Sequence, residues 1–398
     1  MQLVEQHIIK KTDSRYQVID QAAFKAKNLY NAALYEVRQA FIKEGQYTSY
    51  PQLHALMKSH EAYKALPRKV SQQVLKLLDK NWQSFFAACK VYRAHPEQFL
   101  GRPRLPKYKH KTEGRGVLVY TMQAISAPGL RNGIIIPSQL GIEVKTLQQA
   151  IQQVRIIGRD GLYVVEVVYE KEVKQADVNP AYYAGIDIGI DNLATLTSNK
   201  VGFVPRLVNG RPVKSINQFY NKRKAELQSK LTPNRHTSHR MERLTTKRTR
   251  RIDHYLHTAS KRIIDLLVAE SIGTLVIGKN PYWKQECNIG KRNNQNFVSI
   301  PHARFIDMLT YKAKLVGIDV IVTEESYTSK CSFLDGEDIR KHDTYAGKRV
   351  KRGLFRASTG RSINADVNGS YNIVRKVAPD AFGQGSRGCV VHPLPLLA

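Results

Sequence analysis

The sequence predicts a multidomain α+β protein in which a helical part and a small β-rich part precede an α/β domain. Three observations support this prediction. The chain has 398 residues, more than one ordinary domain contains. Apolar residues recur at spacings of three and four between about residues 16 and 95, which is typical of helices. From about residue 183 onward, β-rich and helical patterns alternate, which is typical of an α/β domain.

The first 175 residues divide into a helical and a β-rich region. We predict a helical domain over residues 16–98, which ends at the two prolines of the loop GRPRLPKYKHK. Residues 99–175 contain short β-rich segments separated by Gly and Asn-Gly signals. These segments predict a small β-barrel or sheet, of which residues 1–15 form the first strand.

The second part of the chain has the pattern of a mixed sheet with crossover helices. The order β-β-β-helix-β-helix-β-helix is predicted from strand patterns bounded by turns and from helical periodicity. The predicted strands are 183–189, 192–198, 201–208, 274–278 and 319–325, and the predicted helices are 214–271, 301–316 and 365–377.

The charge of the chain indicates a polyanionic partner. Lys and Arg number 63 against 33 Asp and Glu, which gives a formal net charge of +30. An excess of this size favours binding to nucleic acid over binding to a membrane surface. No apolar run is long enough to cross a bilayer, and the four cysteines form no Cys-x-x-Cys pair. We therefore expect a cytoplasmic protein associated with a prokaryotic nucleoid, without membrane contact.

Three acidic sites fall at the ends of different elements of the α/β region. Asp187 lies within the apolar run AGIDIGIDNLATL, Asp366 heads the last predicted helix, and Glu324 and Glu325 end the strand VIVTEE. Each site alone has an ordinary explanation, such as a turn, a helix N-terminus or a solvated strand end. Together they are typical of the all-oxygen ligand sets that hold Mg²⁺, and two such ions support phosphodiester hydrolysis.

The motifs around these acids resemble the TnpB family, transposon-encoded RNA-guided nucleases related to type V CRISPR effectors. GIDIGIDNLATL resembles the first RuvC motif of that family and INADVNGSYNI the third, so the resemblance implies catalytic, metal-binding roles for Asp187 and Asp366. It also implies an RNase H-like (RuvC) nuclease domain that begins over 176–330 and ends with the helix at 361–378. Over residues 16–98 and 99–175 the resemblance implies REC-like and WED-like domains.

The chain departs from the family at the second RuvC motif. The strand TLVIGKN carries Gly278 and Lys279 where the family has a Glu followed by an acidic residue. Either the nuclease has lost a ligand and only binds, or another acid replaces it. In a sheet ordered like that of RNase H, the next strand lies on the same side of the first strand and ends at the same edge. We therefore predict that Glu325 is the third catalytic and metal ligand, with Glu324 in reserve.

A second departure is the zinc ribbon. Residues 331–360 contain only Cys331 where the family has two Cys-x-x-Cys pairs, so we predict a degenerate insert without zinc. Lys330, Arg349 and Arg352 at this insert are predicted to contact phosphate. Residues 379–398 are expected to form a loose tail.

Basic clusters outside the insert predict further nucleic-acid contacts. A long helix with fifteen basic residues between 211 and 262 repels itself unless phosphate lies against it. Another polar and basic segment runs from 279 to 296 and includes Trp283. The predicted contact residues are Arg102, Arg104, Lys107, Tyr108, Lys109, Lys247, Arg248, Arg250, Arg251 and Lys279.

The resulting prediction is a Mg²⁺-dependent, RNA-guided endodeoxyribonuclease of TnpB type that uses two Mg²⁺ ions. Its partners would be a transposon-derived guide RNA and double-stranded target DNA next to a short adjacent motif. One alternative is a nuclease-inactive, RNA-guided DNA-binding repressor. Another is a metal-dependent transposase that acts without RNA.

Overall fold

The computed structural model divides the chain into two compact units, Met1–Lys171 and Glu172–Ala398. It describes residues 1–280, 284, 290–383 and 389–397, and for residues 291–293 it describes the helical backbone alone. The unit boundary falls four residues before the predicted boundary at 175/176. The predicted helical and β-rich domains share one unit, because their apolar side chains form one continuous core.

The helices of the first unit lie where apolar periodicity predicts them. The long predicted helical region is divided by short connections into four helices, and a fifth short helix follows later. Their bounds are α1 Tyr16–Glu44, α2 Tyr50–Met57, α3 Glu61–Lys64, α4 Arg68–Ala94 and α5 Ala127–Arg131. Gly45 ends α1 with a φ of 66°, a left-handed conformation that glycine adopts at low cost. Trp82 of α4 is fully buried in the core of the unit.

The strands of the first unit form an open sheet, so of the two arrangements predicted, a barrel or a sheet, the structure has the sheet. The strands are β1 Gln2–Ile9, β2 Leu118–Thr121, β3 Ile134–Ile135, β4 Val144–Lys145, β5 Ile151–Arg159 and β6 Leu162–Glu170. Four of them pair antiparallel in the order β1-β6-β5-β2, and β3 pairs with β4 separately. Helices α1 and α4 pack against this sheet, so its apolar face is buried without closure. Residues 1–15 supply the first strand, as predicted.

The second unit is built on a six-stranded mixed sheet. Its strands are β7 Asn179–Asp187, β8 Asn192–Ser198, β9 Arg206–Asn209, β10 Ile272–Gly278, β11 Asp319–Thr323 and, near the end of the chain, β15 Leu394–Leu396. The order is β11-β10-β7-β8-β9-β15. β10 runs parallel to both β7 and β11, whereas β8 is antiparallel to its neighbours β7 and β9. The carboxyl ends of β7, β10 and β11 therefore lie at the same edge of the sheet.

Among the described residues, five helices accompany this sheet and its insert, and one prediction about them is wrong. Their bounds are α6 Arg211–Gln228, α7 His239–Ala269, α8 Lys291–Ser299, α9 His302–Leu315 and α10 Ala365–Val377. The helix predicted over 214–271 is divided into α6 and α7. Pro233 removes an amide donor in the connection, and Asn234 has a φ of 70°, which a helix does not contain.

The insert and the tail both carry strands. The insert forms an antiparallel sheet of β12 Lys348–Lys351, β13 Leu354–Arg356 and β14 Ser362–Asn364. β14 leads directly into α10, whose first turn is capped by the Asn364 side chain. The tail is not entirely loose as predicted, because Leu394–Leu396 pairs in parallel with β9 and the Tyr371 hydroxyl donates a hydrogen bond to the carbonyl of Val390.

Across the part of the chain that the structure describes, no helix is both long enough and apolar enough to span a membrane.

Candidate active site

Asp187 is fixed by the central strand of the second unit. It is the last residue of β7, opposite Thr195 of β8 and one position beyond the pair that Ile186 makes with Ile277 of β10. The glycine two residues earlier has a packing role, since a Cβ atom on Gly185 would lie 2.4 Å from the carbonyl oxygen of Ser370 in α10. Helix α10 can therefore lie directly on β7, beside Asp187.

Asp366 reaches the same place from the first turn of α10. Its Oδ2 accepts a 2.7 Å hydrogen bond from the Asn192 side chain at the start of β8, and its Oδ1 lies 3.5 Å from the guanidinium of Arg349 on β12. The helix also leaves room for the other aspartate, because the position of a Cβ atom on Gly369 is 3.0 Å from the Asp187 carboxylate. The two aspartates thus line one cavity.

Glu325 comes from the segment that follows β11. Its Oε2 lies 2.8 Å from the position of a Cβ atom on Gly278, the last residue of β10. The side chain of Asn280 accepts a 3.0 Å hydrogen bond from the Glu325 amide and donates a 3.3 Å bond to Oε1 of the same residue. The Glu325 carboxylate therefore occupies the space that the missing side chain of residue 278 leaves open.

Glu324 faces away from this cluster. Its side chain is exposed, accepts a hydrogen bond from the Ser326 hydroxyl and lies 3.6 Å from the ammonium group of Lys376. These contacts lower the pKa of Glu324, the Ser326 hydrogen bond first and the charge of Lys376 second. Glu324 is thus an ordinary ionised surface carboxylate, whereas Glu325 is half-buried.

Within the described residues the Asp187 carboxylate has no ion pair, whereas Asp366 lies beside Arg349. Burial, and then the charges of Glu325 and Asp366, raise the pKa of Asp187 to about 8. Burial also raises the pKa of Glu325. Within the described ranges no group donates a hydrogen bond to the Asp187 carboxylate. Crowded carboxylates of this kind bind a proton or a cation, so the donor set fits a hard divalent ion.

The two aspartates open onto a cavity of about 780 Å³. Asn192, Arg349 and Arg352 also line it. The described residues include no group of three or more His, Cys, Asp and Glu side chains already arranged around one ion position. The ligand set Asp187, Glu325 and Asp366 therefore stays a prediction, which the electrostatics of the cluster support.

Asp191 is a third aspartate in this cavity, and two cationic side chains bind it. It accepts a 2.8 Å hydrogen bond from Lys214 of α6 and pairs with Arg352, which follows β12. Its pKa is lowered, mainly by the Lys214 hydrogen bond. Asp191 is thus already neutralised by lysine and arginine, unlike Asp187.

The predicted contact residues of the loop 101–111 lie along α1. Lys109 exchanges two 2.9 Å hydrogen bonds with Asn31 through its backbone, and Lys27 donates to the carbonyl of Lys111. Lys109 itself lies over the Tyr30 ring, and burial lowers its pKa. The remaining predicted contacts of the loop are exposed: Arg102, Arg104, Lys107 and Tyr108. The loop therefore presents three cations and one aromatic ring to solvent.

The predicted contact residues of α7 differ in exposure. Lys247, Arg250 and Arg251 are exposed. Arg248 is half-buried: it donates a 2.7 Å bond to Asn217 and a 2.9 Å bond to the carbonyl of Ser299, with its guanidinium 5.1 Å from the centre of the Tyr220 ring. Its partners hold it inside the unit, which a count of charges along the sequence cannot detect.

The remaining predicted contacts lie around the active-site edge or outside the described residues. Lys279 follows β10 and is half-buried, and Lys330 is exposed beside the Tyr345 ring. Arg349 and Arg352 reach the carboxylate cavity. Of the segment 279–296, Trp283 lies outside the described residues, and Lys284 donates to the carbonyl of Ile300.

Two asparagines at the site were missed by sequence reasoning. Asn192 holds Asp366 and Asn280 holds Glu325, each through its side-chain amide. A charge-based search for ligands passes over neutral amides. The available signal was their position, since both stand within two residues of a strand end at the edge where the acids gather.

Comparison with known proteins gives two family matches. Residues 166–283 match a family described as a probable transposase (OrfB_IS605), and residues 302–373 match the TNB domain of Cas12f1-like proteins. The first match contains the strand that ends in Asp187. The second contains Glu325, the insert and Asp366.

Two curated proteins and one solved structure are similar to the chain. A TnpB-like protein, ORF457 of Acidianus two-tailed virus, is 23% identical over 87% of this chain and 80% of its own length. The endodeoxyribonuclease Cas12f2 of a Micrarchaeota archaeon is 26% identical over 54% of this chain and 40% of its own length. A Cas12f1–sgRNA–target DNA complex has a TM-score of 0.55 at 14% identity, covering 90% of this chain and 81% of that one.

These findings confirm two of the predictions made from the sequence. The family matches and the curated relatives confirm the resemblance to the TnpB family. The structural similarity confirms a mixed α/β multidomain fold. The comparisons do not test the individual domain boundaries or the site residues.

Proposed function

We propose that this TnpB-like chain is an RNA-guided endodeoxyribonuclease that cuts target DNA beside a short adjacent motif. Asp187, Glu325 and Asp366 would form its catalytic centre and hold two Mg²⁺ ions. The curated relative Cas12f2 is named as an endodeoxyribonuclease, which supports nuclease activity as the reaction class. The finer assignments rest on the geometry of the carboxylate cluster.

One observation carries the proposal: the Glu325 carboxylate fills the space beside Gly278. The family places a Glu at the end of this strand, and the chain has a glycine there. Yet Oε2 of Glu325 lies 2.8 Å from where the first side-chain atom of residue 278 would be. The charge of this carboxylate also raises the pKa of Asp187. The missing acid is thus replaced from the neighbouring strand, within electrostatic reach of Asp187.

Bound Mg²⁺, the cavity and two neighbouring side chains would each contribute to hydrolysis at the three carboxylates. Bound Mg²⁺ supplies activation of a water molecule and stabilisation of the leaving 3′ oxygen. Asp187 and Asp366 open onto the cavity that would admit the scissile phosphate. Arg349, half-exposed beside Asp366, can donate hydrogen bonds to that phosphate in the bidentate geometry that guanidinium groups favour. Asn192 keeps Asp366 oriented toward the cavity.

Guide RNA and double-stranded target DNA are the proposed partners. The net charge of +30 requires polyanions, and the exposed cations of α7 and of the loop 101–111 can neutralise backbone phosphates without reading sequence. This suits a protein in which base pairing to the guide reads the target. The Cas12f1 structure similar to this chain contains both an sgRNA and target DNA. With such partners, we propose that the protein acts at the nucleoid of a prokaryotic cell.

A nuclease-inactive, RNA-guided DNA-binding repressor is the second candidate. Gly278 at the strand end where the family has Glu favours it. This candidate shares every nucleic-acid contact with the first and differs only in the chemistry at the cluster.

Purification followed by two assays tests the proposal. RNA that copurifies with the protein is sequenced, and the complex is incubated with Mg²⁺ and a plasmid library carrying a randomised flank beside the target. We expect guide-dependent double-strand cuts next to an enriched motif, and no cuts with Asp187→Ala. Motif-dependent binding without cleavage by the unmodified protein would identify the repressor. Absence of copurifying RNA would contradict both candidates.

A further inference from the structure

We propose that Asn280 is a positioning residue that holds Glu325 in the metal-binding arrangement. This inference rests on the proposed function, since it assigns a role to a neighbour of one proposed metal ligand. It concerns a side chain that lies outside the three-carboxylate set.

The backbone around Glu325 needs such a support because the strand ends before it. β10 and β11 pair in parallel up to Gly278 and Thr323, and the amide of Lys279 makes one more 2.8 Å bond to the carbonyl of Thr323. Glu325 lies two residues further on and is not in β11. A ladder of backbone hydrogen bonds therefore does not fix its position.

The side chain of Asn280 accepts the hydrogen bond from the Glu325 amide that no neighbouring strand accepts. The Glu325 amide can only donate, so it requires the Asn280 carbonyl oxygen, Oδ1, which lies 3.0 Å away. The ionised Glu325 carboxylate can only accept, so it requires Nδ2, which lies 3.3 Å from Oε1. One amide thus grips both the backbone and the carboxylate of the same residue, and this fixes the side-chain direction.

These two hydrogen bonds do not involve Oε2, the other carboxylate oxygen of Glu325. Oε2 is the atom that lies beside Gly278, on the side of the strand end that carries Asp187. The carbonyl of Glu325 is held independently, by the amide of Thr328 at 3.2 Å and its hydroxyl at 2.8 Å. Loss of Asn280 would free the carboxylate while Thr328 still anchors the turn, so the effect on the fold is small and the effect on the ligand is large.

The test is the affinity of the protein for Mn²⁺ alone, measured from the electron paramagnetic resonance signal of free Mn²⁺. Groups that orient a metal ligand contribute about 10–100-fold to metal affinity. We expect Asn280→Ala to weaken Mn²⁺ binding by about this factor. Asn280→Ser is the second variant. Its hydroxyl is too short to reach the Glu325 carboxylate, so it is expected to weaken Mn²⁺ binding as Asn280→Ala does. Thermal melting checks that each variant is folded.

A double-mutant cycle identifies the route of the effect. In a Glu325→Ala background the same Asn280→Ala change is expected to alter Mn²⁺ affinity by less than about twofold, because its target is gone. The matched control is Asn199→Ala, which removes hydrogen bonds to the backbone of Tyr183 and Ala181 at the opposite end of β7. This control is expected to leave Mn²⁺ affinity unchanged.

Three results would overturn the inference: unchanged Mn²⁺ affinity in both Asn280 variants, an equal loss with and without Glu325, or an equal loss in the Asn199 control. The cycle is independent of cleavage. A protein that never cuts DNA but shows the coupled loss of Mn²⁺ affinity would refute the proposed function and support the role of Asn280. A protein that cuts DNA with an inert Asn280 would do the reverse.

Discussion

Asp187 and Glu325 contribute to the same carboxylate cluster but are held in place by different means. Asp187 ends the central strand β7, which has hydrogen-bonded neighbours on both sides. Glu325 follows the edge strand β11, and the side chain of Asn280 fixes its direction. The backbone ladder determines one ligand, and a single amide determines the other.

The difference shows how a neighbouring segment can supply the carboxylate of the proposed metal site. Neighbouring parallel strands end at the same edge, so a side chain from the segment after β11 can reach the end of β10 when a glycine there leaves the space open. The relocation requires two changes: a glycine at the original position and a polar group that orients the new carboxylate. Gly278 and Asn280 meet these requirements two residues apart.

The largest expected effect on the cleavage rate distinguishes Glu325 from Glu324. Glu325→Ala is expected to lower the cleavage rate by about 10³-fold, because loss of a metal ligand removes several kcal/mol of transition-state stabilisation and each tenfold is about 1.4 kcal/mol. Glu324→Ala, the matched control at the exposed position, is expected to change it by less than about threefold. Single-turnover cleavage measures the rates. A large loss in Glu324→Ala with none in Glu325→Ala would reverse the assignment.

The strand-held carboxylate is expected to destabilise the metal-free protein at high pH. The folded-state pKa of Asp187 is about 8 and its ordinary value is 3.8, so the unfolded chain binds fewer protons between these values. Stability therefore falls as the pH rises from about 4 to about 8. Asp187→Asn removes this effect and is expected to raise the free energy of unfolding by on the order of 5 kcal/mol at pH 8 and by almost nothing at pH 4.

Denaturant unfolding in the presence of a chelator measures this difference. The groups that face Asp187 are Glu325, Asp366 and Arg349, and none of them is changed in the variant. Glu325→Gln provides the comparison and is expected to stabilise less, because Lys376 and the Asn280 hydrogen bond favour the ionised form of Glu325. A gain that is independent of pH would contradict the explanation.

Returning the relocated carboxylate to the strand gives a smaller and more specific effect. Adding Gly278→Glu to Glu325→Ala is expected to recover at least about tenfold of the lost rate, equivalent to about 1.4 kcal/mol. The first substitution alone is expected to be harmful, since its Cβ atom would lie 2.8 Å from Glu325 Oε2 and 2.6 Å from the Ile373 side chain. Gly278→Gln in the same Glu325→Ala background is the control, because it matches the size without the charge.

A final pair of variants extends the comparison to the basic residues of α7. Arg251 is exposed, so Arg251→Ala is expected to reduce the slope of RNA affinity against salt by about one and to leave thermal stability unchanged. Arg248 bonds to Asn217 and Ser299, so Arg248→Ala is expected to cost about 1.5–3 kcal/mol of stability. Filter binding at several salt concentrations, together with thermal melting, measures both. Equal effects on both quantities would show that exposure does not separate the two roles.

The sequence predicted elements best where periodicity and a terminating residue agree. Strand β8 was predicted at 192–198 and helix α10 at 365–377, the bounds that the structure has. The division between α6 and α7 was missed although Pro233 marks it, because basic residues continue on both sides. The strand predicted over 201–208 begins only at Arg206, since Gly202 has a φ of 80° and forms a turn.

The candidate site was predictable as a set of acids and not as a geometry. The glycine at 278 and the paired glutamates at 324 and 325 pointed to a relocated ligand, and alternation along the strand favoured one of the pair. The positions of Asn192 and Asn280 near strand ends were a signal in the sequence, but the roles of their amides depend on distances to their partners, which the sequence does not give. Nor could it reveal that Arg248 is held inside the unit by Asn217.

The direct passage from β14 into α10 couples the insert mechanically to the proposed active site. Asn364 ends the strand, its side chain caps the helix, and Asp366 lies in the first turn, so no flexible linker separates the insert from this proposed catalytic carboxylate. If nucleic acid bound to the lysines and arginines of the insert displaced its sheet, Asp366 would move with it, because α10 follows β14 directly. Engineers who exchange this insert for a longer or shorter one therefore need to preserve the residues from Ser362 to Asp366 as a rigid joint.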